Sequence, residues 1–443
     1  MKQIVNEDPP IKKLIRPFQS FTQKEASGGI LLLICTIAAL IWANSPWKEI
    51  YFDLWHTNIS INLGDYILSY SLHHWINDGL MVIFFFVVGL EIKREFLVGE
   101  LSTRRKASLP VAGALGGMLF PAGIYLLFNA NTEGNSGWGI PMATDIAFVI
   151  GILALLGSKV PLSIKVFITA LAIADDIGAV LVIALFYTSE ISFISLMIGA
   201  FFLILLIFSN ASGIRSLLIY LLLGIGLWLA FLKSGIHSTV AGVILAFTIP
   251  ASTRINSLRF LTEGKKLLED FDNAGEEGES TLTNEERLNI VQELENNCEE
   301  VMTPLQRFES GLHSWVSFFI MPLFAFANAG IDLSGDILSS VTNFVSLGII
   351  TGLFFGKQLG IFFFSWLSIK FGLAEKPDGV SWKIIYASGI LAGVGFTMSL
   401  FIANLAFGES ELLNISKAGI LTGSLISGII GFIILKSFLK EKV

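Results

Sequence analysis

The sequence predicts an all-α polytopic membrane protein of twelve transmembrane helices, with inverted repeats over spans 3–5 and 10–12 and interrupted helices at spans 4 and 11. Three observations support this. The chain has 443 residues, 53% hydrophobic content, 37 Phe and a mean hydropathy of +0.71, far more apolar surface than a soluble core of this size needs. Apolar runs of roughly the 17 to 25 residues that cross a bilayer recur at 27–44, 76–97, 108–129, 136–156, 162–187, 192–210, 214–232, 236–252, 311–330, 341–369, 383–406 and 415–436. Finally, threading the chain back and forth through these runs sorts its basic residues. Of 29 Lys and Arg, 25 fall on the side of the N-terminus, Lys48, Lys233 and Lys417 fall on the other, and Lys357 lies inside a span. Short cytoplasmic loops hold most Lys and Arg, so both termini are expected in the cytoplasm; a miscount of one span would swap sides downstream and destroy the asymmetry.

The expected organisation is a cytoplasmic tail over 1–26, spans 1–8 over 27–252, an acidic cytoplasmic loop over 253–310, spans 9–12 over 311–436 and a tail over 437–443. Span 1 follows Lys12, Lys13, Arg16 and Lys24 as a signal peptide would, but it is long and lacks a small-x-small cleavage site, so it reads as a retained helix. Cys35 and Cys298 sit in different environments and form no disulfide framework. Residues 251–310 carry 14 acidic against 6 basic residues and so account for the formal net charge of −7. Within them, Leu288, Val291, Leu294, Cys298 and Val301 recur at helical spacing behind a Thr283/Glu286 capping box, which predicts an amphipathic helix. The preceding stretch, with Gly275, Gly278 and Ser280 among carboxylates, reads as flexible linker.

The chemistry-bearing residues lie inside the spans. Asp175 and Asp176 stand side by side in ITALAIADDIGAVLVIALFY. One acidic side chain at the centre of a membrane helix costs roughly 2.5 to 3.5 kcal/mol, so a retained pair implies a cation, a proton or a positive partner. Neighbouring helix residues point about 100° apart, which gives the two different roles. Asp145 follows Pro141 and Thr144 in GWGIPMATDIAFVIG, and a proline that removes a helix hydrogen bond predicts a broken helix there. The three carboxylates reach similar depth on the two arms of one hairpin, so they are expected to line one cavity near the midplane. Lys357, between Gly356 and Gly360, needs a carboxylate partner; Asp175 or Asp176 is the first candidate and Asp145 the second.

Gly389, Gly393 and Gly395 in GILAGVGFTMSLF predict a second interrupted helix. Spans 4 and 11 are an odd number apart and therefore run in opposite directions, the arrangement of inverted repeats whose half-helix ends meet at an ion site. Those dipole ends call for compensating charge, with Asp145 and Lys357 as donors. Glu91, Lys93, Arg94 and Glu95 end span 2 as interfacial charges or a cation funnel, and Asp78 reads as an interfacial or capping residue. His237 and His313 titrate near neutral pH and are candidate sensors.

The strings FFFVVGLEIKREFLVGEL, IPMATDIAFVIGILALLGSKVPLSIKVF, LAIADDIGA, LKSGIHSTVAGV, MPLFAFANAGI and GILAGVGFTMSLFIANLAF resemble those of the NhaA family of sodium/proton antiporters, over nearly all of the membrane part. The resemblance implies an inner-membrane transporter, not an enzyme, that exchanges cytoplasmic sodium or lithium for external protons with no cofactor. It implies ion binding at Asp175 and Asp176, support from Thr144, Asp145 and Lys357, and a pH-responsive cytoplasmic cluster on Glu91, Arg94, Glu95, Glu309 and His313. Here the chain departs from the family in two places: Ser310 stands where a histidine can occur, and the acidic insertion before Glu309 is longer than usual. Its expected partners are the lipid bilayer and small cations, with a homodimer allowed and nucleic acid not expected. The alternatives are a sodium-coupled organic-anion transporter of the bile-acid type on a related inverted-repeat plan, an intramembrane aspartyl protease, which would need YD and GxGD strings the chain lacks, and a retinal-type pump with a Schiff base on Lys357.

Overall fold

A computed structural model of the chain describes residues 27–63, 66–157, 160–188, 191–275, 283–332, 337–376 and 380–440. The expected N-terminal tail, Gly278 and Ser280 of the linker, and the last three residues lie outside the described residues.

Eight helices are long and apolar enough to cross a membrane: α3 (Leu72–Val98), α4 (Arg104–Asn129), the segment Glu133–Leu156, α6 (Leu162–Phe186), α7 (Phe193–Ala211), α12 (Pro304–Asn328), α13 (Phe344–Lys370) and α16, which runs Glu411–Lys440. Two more candidates are bent pairs, α1 (Ser27–Ala43) with α2 (Lys48–His56) at 113° and α14 (Trp382–Leu391) with α15 (Phe396–Phe407) at 50°. Two apolar helices are shorter, α8 (Leu217–Leu232) and α9 (Ser238–Thr248). The chain is thus a polytopic helical membrane protein, and each apolar run of the sequence falls on one of these elements.

The all-α expectation needs one correction. β1 (Asn58–Leu63) and β2 (Tyr66–Ser71) pair antiparallel, with Asn58 opposite Ser71 and Leu63 opposite Tyr66. Asn-Ile-Ser-Ile-Asn-Leu alternates polar and apolar residues with the period of two that a strand needs, a signal too short to stand out between membrane spans. The acidic loop needs a second. α10 (Ser257–Asn273) occupies most of what reads as linker and packs on α11 (Glu285–Val301), with the Arg287 guanidinium over the Phe271 ring at 5.1 Å. The cap of α11 is Asn284, whose side chain accepts from the Arg287 amide at 3.0 Å, one residue after the expected Thr283.

Two features of the packing position the functional residues. α4 and α13 cross with Gly116 against Gly360: a Cβ on either would collide with the other's carbonyl. That close approach brings Lys357, one turn before Gly360, against the buried face of α6. The segment Glu133–Leu156 is not a continuous helix. A 3-10 stretch over Glu133–Met142 gives way to extended Ala143, Thr144 and Asp145 before α5 (Ile146–Leu156), which ends at Gly157 with φ 67°. Pro141 lacks the amide that would continue the ladder, so the break falls where a proline puts it.

Candidate ion-binding site

At the break, the extended backbone of 143–145 crosses the gap between α14 and α15. The Asp145 amide donates to the Val394 carbonyl at 2.7 Å, and the Thr144 hydroxyl donates to the Ala392 carbonyl at 2.8 Å. The Asp145 carboxylate spans two helix starts: it accepts from the Phe148 amide of α5 at 3.0 Å and from the Thr397 amide of α15 at 3.1 Å, and also from the Thr397 hydroxyl. Both helix N-termini present positive partial charge and unpaired amides, so one negative group between them compensates both. Thr144 does the reverse for a carbonyl at the α14 end.

Beside this crossing, mid-way along α6, Asp175 and Asp176 are 3% and 2% exposed. They face different ways, as consecutive helix residues must. Asp175 Oδ2 accepts from Lys357 Nζ at 2.6 Å, and Lys357 is fully buried. Asp175 Oδ1 has no hydrogen-bond partner among the described residues and lines a small void with Thr144 and Lys357. Asp176 lines a cavity of about 520 Å³ on the other side, together with Thr144, Asp145, Glu91, Arg94 and His313. The expectation of one cavity for three carboxylates is therefore corrected: Asp176 and Asp145 share one, while Asp175 is turned into the Lys357 pair. The corrected picture also settles the partner of Lys357. It balances Asp175 rather than a helix dipole, and Asp145 alone serves the helix ends.

The charged cluster at the end of α3 is brought together. Arg94 pairs with Glu309 of α12 and lies 3.6 Å from Glu95, whose other oxygen accepts the Glu100 amide at 2.9 Å. Glu91, about one turn before Glu95, and exposed His313 also line the Asp176 cavity. Lys93 reaches across to the carbonyls of Phe247, at 2.7 Å, and Ile249, satisfying the end of α9. His237 is not part of this group. It lines a separate cavity with Asp78, near the other end of α3, where the Ser238 hydroxyl donates to Asp78 at 2.8 Å. Thr397 is the residue that sequence reasoning missed. Its signal was its place just after the GVG break, mirroring Thr144 before Asp145 in the other broken segment.

Among the described residues no three His, Cys, Asp or Glu side chains are grouped to hold a metal ion. A buried carboxylate open to a charged cavity, next to a second carboxylate paired with a buried ammonium, at the crossing of two broken helices, defines a membrane transport protein that handles small cations. The comparison with known proteins narrows this. The family model described as Na+/H+ antiporter 1 matches residues 19–435. The chain is similar to the Na(+)/H(+) antiporter NhaA of Koribacter versatilis (strain Ellin345), 50% identical over 426 residues that cover 96% of this chain and 92% of the relative. It is also similar to the NhaA antiporters of Oleidesulfovibrio alaskensis, 48% identical over 98% of this chain and 96% of the relative, and of Saccharophagus degradans, 47% identical over 100% and 97%. The chain belongs to the Na+/H+ antiporter 1 family.

Proposed function

We propose that the protein exports cytoplasmic sodium or lithium in exchange for external protons, by cation and proton competition at Asp176 and Asp175 in alternating access. The observation that carries this is the division of labour in the aspartate pair: Asp176 opens on the charged cavity, while Asp175 is held by Lys357. A cation entering past Glu91 meets Asp176, whose O–H bond breaks as the carboxylate turns to the cation; the proton leaves to cavity water. The Lys357–Asp175 pair supplies a second protonatable position, so more protons move inward than cations outward. Asp145, held by amides from two half-helices, fixes the floor on which the exchange takes place.

In this proposal all twelve apolar helices cross the bacterial inner membrane, α8 and α9 included, and both termini are cytoplasmic. Support comes from the basic-residue asymmetry and from the match of each apolar run to a helix. Spans 3–5 and 10–12 are inverted repeats whose middle members, Glu133–Leu156 and α14–α15, are both interrupted. Glu91, Arg94, Glu95, Glu309 and His313 form a pH-responsive entrance, His237 responds from the opposite cavity, and a homodimer is the proposed assembly. The organic-anion alternative has no observation in its favour, since the groups turned to the cavity floor are carboxylates.

Unequal exchange moves net charge. In proteoliposomes with sodium on one side, an imposed membrane potential of 100 mV, equivalent to about 2.3 kcal/mol per elementary charge, is expected to accelerate exchange in one polarity and slow it in the other. A rate indifferent to polarity would mean electroneutral exchange and remove the role given to the second protonatable group.

A further inference from the structure

A second cavity, of about 900 Å³, opens at the other end of the same helices. α3 lines it through His73, His74 and Asp78, whereas its far end carries Glu91 and Arg94 of the Asp176 cavity; α15 lines it through Phe401 and Asn404, whereas Thr397 and Met398 face the Asp176 cavity. About one turn of α15 therefore separates the two chambers. Between them Phe401 packs on Phe85 at 5.3 Å and on Phe324 at 6.3 Å between ring centres. Above the rings, Asn328 links Asn77, Asn404 and His73 by hydrogen bonds of 3.0 Å.

Lys417, on α16, lines this cavity and is only 7% exposed. Among the described residues it has neither a hydrogen bond nor a carboxylate within 4.0 Å, the reach of an ion pair. A mostly enclosed lysine whose ammonium reaches only this cavity, without a counter-ion in contact, is costly within a membrane span, so its retention calls for a purpose. The acidic groups lining the cavity, Asp78 and Glu409, lie beyond ion-pair contact with it. Asp78 is engaged by the Ser238 hydroxyl and faces His74 at 3.4 Å, and Glu409 is exposed. His56 and His237 complete the titratable lining.

We propose that Lys417 determines cation selectivity by side: its ammonium lowers sodium occupancy in the outward chamber, so that sodium leaves readily and external sodium competes poorly with protons for the aspartate pair. This rests on the exchange proposed above. The inward chamber is the more acidic, with Glu91, Asp145 and Asp176 against Arg94, whereas the outward one sets Lys417 against Asp78 and Glu409, so the two chambers form a gradient that favours cation entry from the cytoplasm and discharge outside.

The test compares right-side-out and everted membrane vesicles from cells without other sodium/proton exchangers, reading sodium-driven proton movement. Lys417→Gln is expected to lower the half-saturating sodium concentration at the external face about three- to tenfold, the effect of one unit charge across a wet vestibule. At the cytoplasmic face it should stay within about twofold, and Lys417→Arg, which keeps the charge, should match the wild type at both faces. An unchanged external value in Lys417→Gln, an equal shift at both faces, or an Arg variant shifted like Gln would overturn the proposal. Should Lys417→Gln not fold, the wild type serves. Choline chloride raised from 0.1 to 1 M shortens the screening length from about 10 to about 3 Å and is expected to lower the external half-saturation; no change would overturn the role of Lys417. A wild type that moves no protons with sodium in either orientation would instead overturn the exchange itself.

Discussion

Asp176→Asn is expected to abolish sodium-driven proton exchange, with residual flux about 100-fold or more below the wild type. A unit charge about 4 Å from a cation at an effective dielectric near 20 is worth about 4 kcal/mol, and even half of that, after the cost of stripping the ion's water, is more than tenfold in affinity. The amide also cannot release a proton, so cation binding and proton release fail together. Asn is nearly the shape of Asp, and Asp176 accepts no hydrogen bond from the described residues, so nothing in the scaffold depends on its charge. The variant should fold and reach the membrane at wild-type level. Calorimetric titration of the purified variant with sodium, in buffers of different ionisation heat, is the check: no binding heat and no buffer dependence are expected. Retained sodium binding with proton release would move the site to Asp175 or Asp145.

Lys357→Met is expected to destabilise the folded protein by about 3 to 5 kcal/mol, the cost of leaving one member of a buried ion pair uncompensated. Met preserves the volume between Gly356 and Gly360, so α4 and α13 still cross closely and the loss is electrostatic. The partner left behind is Asp175, fully enclosed, with one oxygen already without a hydrogen bond among the described residues. Adding Asp175→Asn removes the orphaned charge and is expected to restore most of the stability, though not the exchange stoichiometry. Thermal unfolding in detergent of the two single variants and the double variant closes the cycle. Equal destabilisation by Lys357→Met with and without Asp175→Asn would show that the lysine acts through packing instead.

Much of this site could be read from the sequence because membrane burial makes each polar residue conspicuous. Pro141 and Asp145 marked the broken helix, and the 100° offset between Asp175 and Asp176 assigned them separate roles. The choice between the two as partner of Lys357 was open in the sequence, since it depends on which face of α6 meets α13, and that is set by the contact of Gly116 with Gly360, both far from Asp175 in the chain. Thr397 was hidden for a related reason: a threonine in an apolar span usually bonds its own helix, and only the crossing of the breaks turns it onto Asp145. α10 was masked by its charge, whose apolar residues, Phe260, Leu267 and Phe271, show their spacing only once α11 is there to cover them. The strand pair β1 and β2 was overlooked because its strands are short, and the placement of His237 because sequence distance says little about which end of a bundle a loop closes.

The central claim is that sodium and protons compete for one buried carboxylate site. The most direct measurement is proton movement in proteoliposomes of the wild-type protein loaded with a pH-sensitive dye, on addition of sodium, lithium or potassium. Movement driven by sodium and lithium, with none for potassium, is the expected result. No movement with any of the three at any pH would contradict the claim and return the organic-anion transporter to consideration.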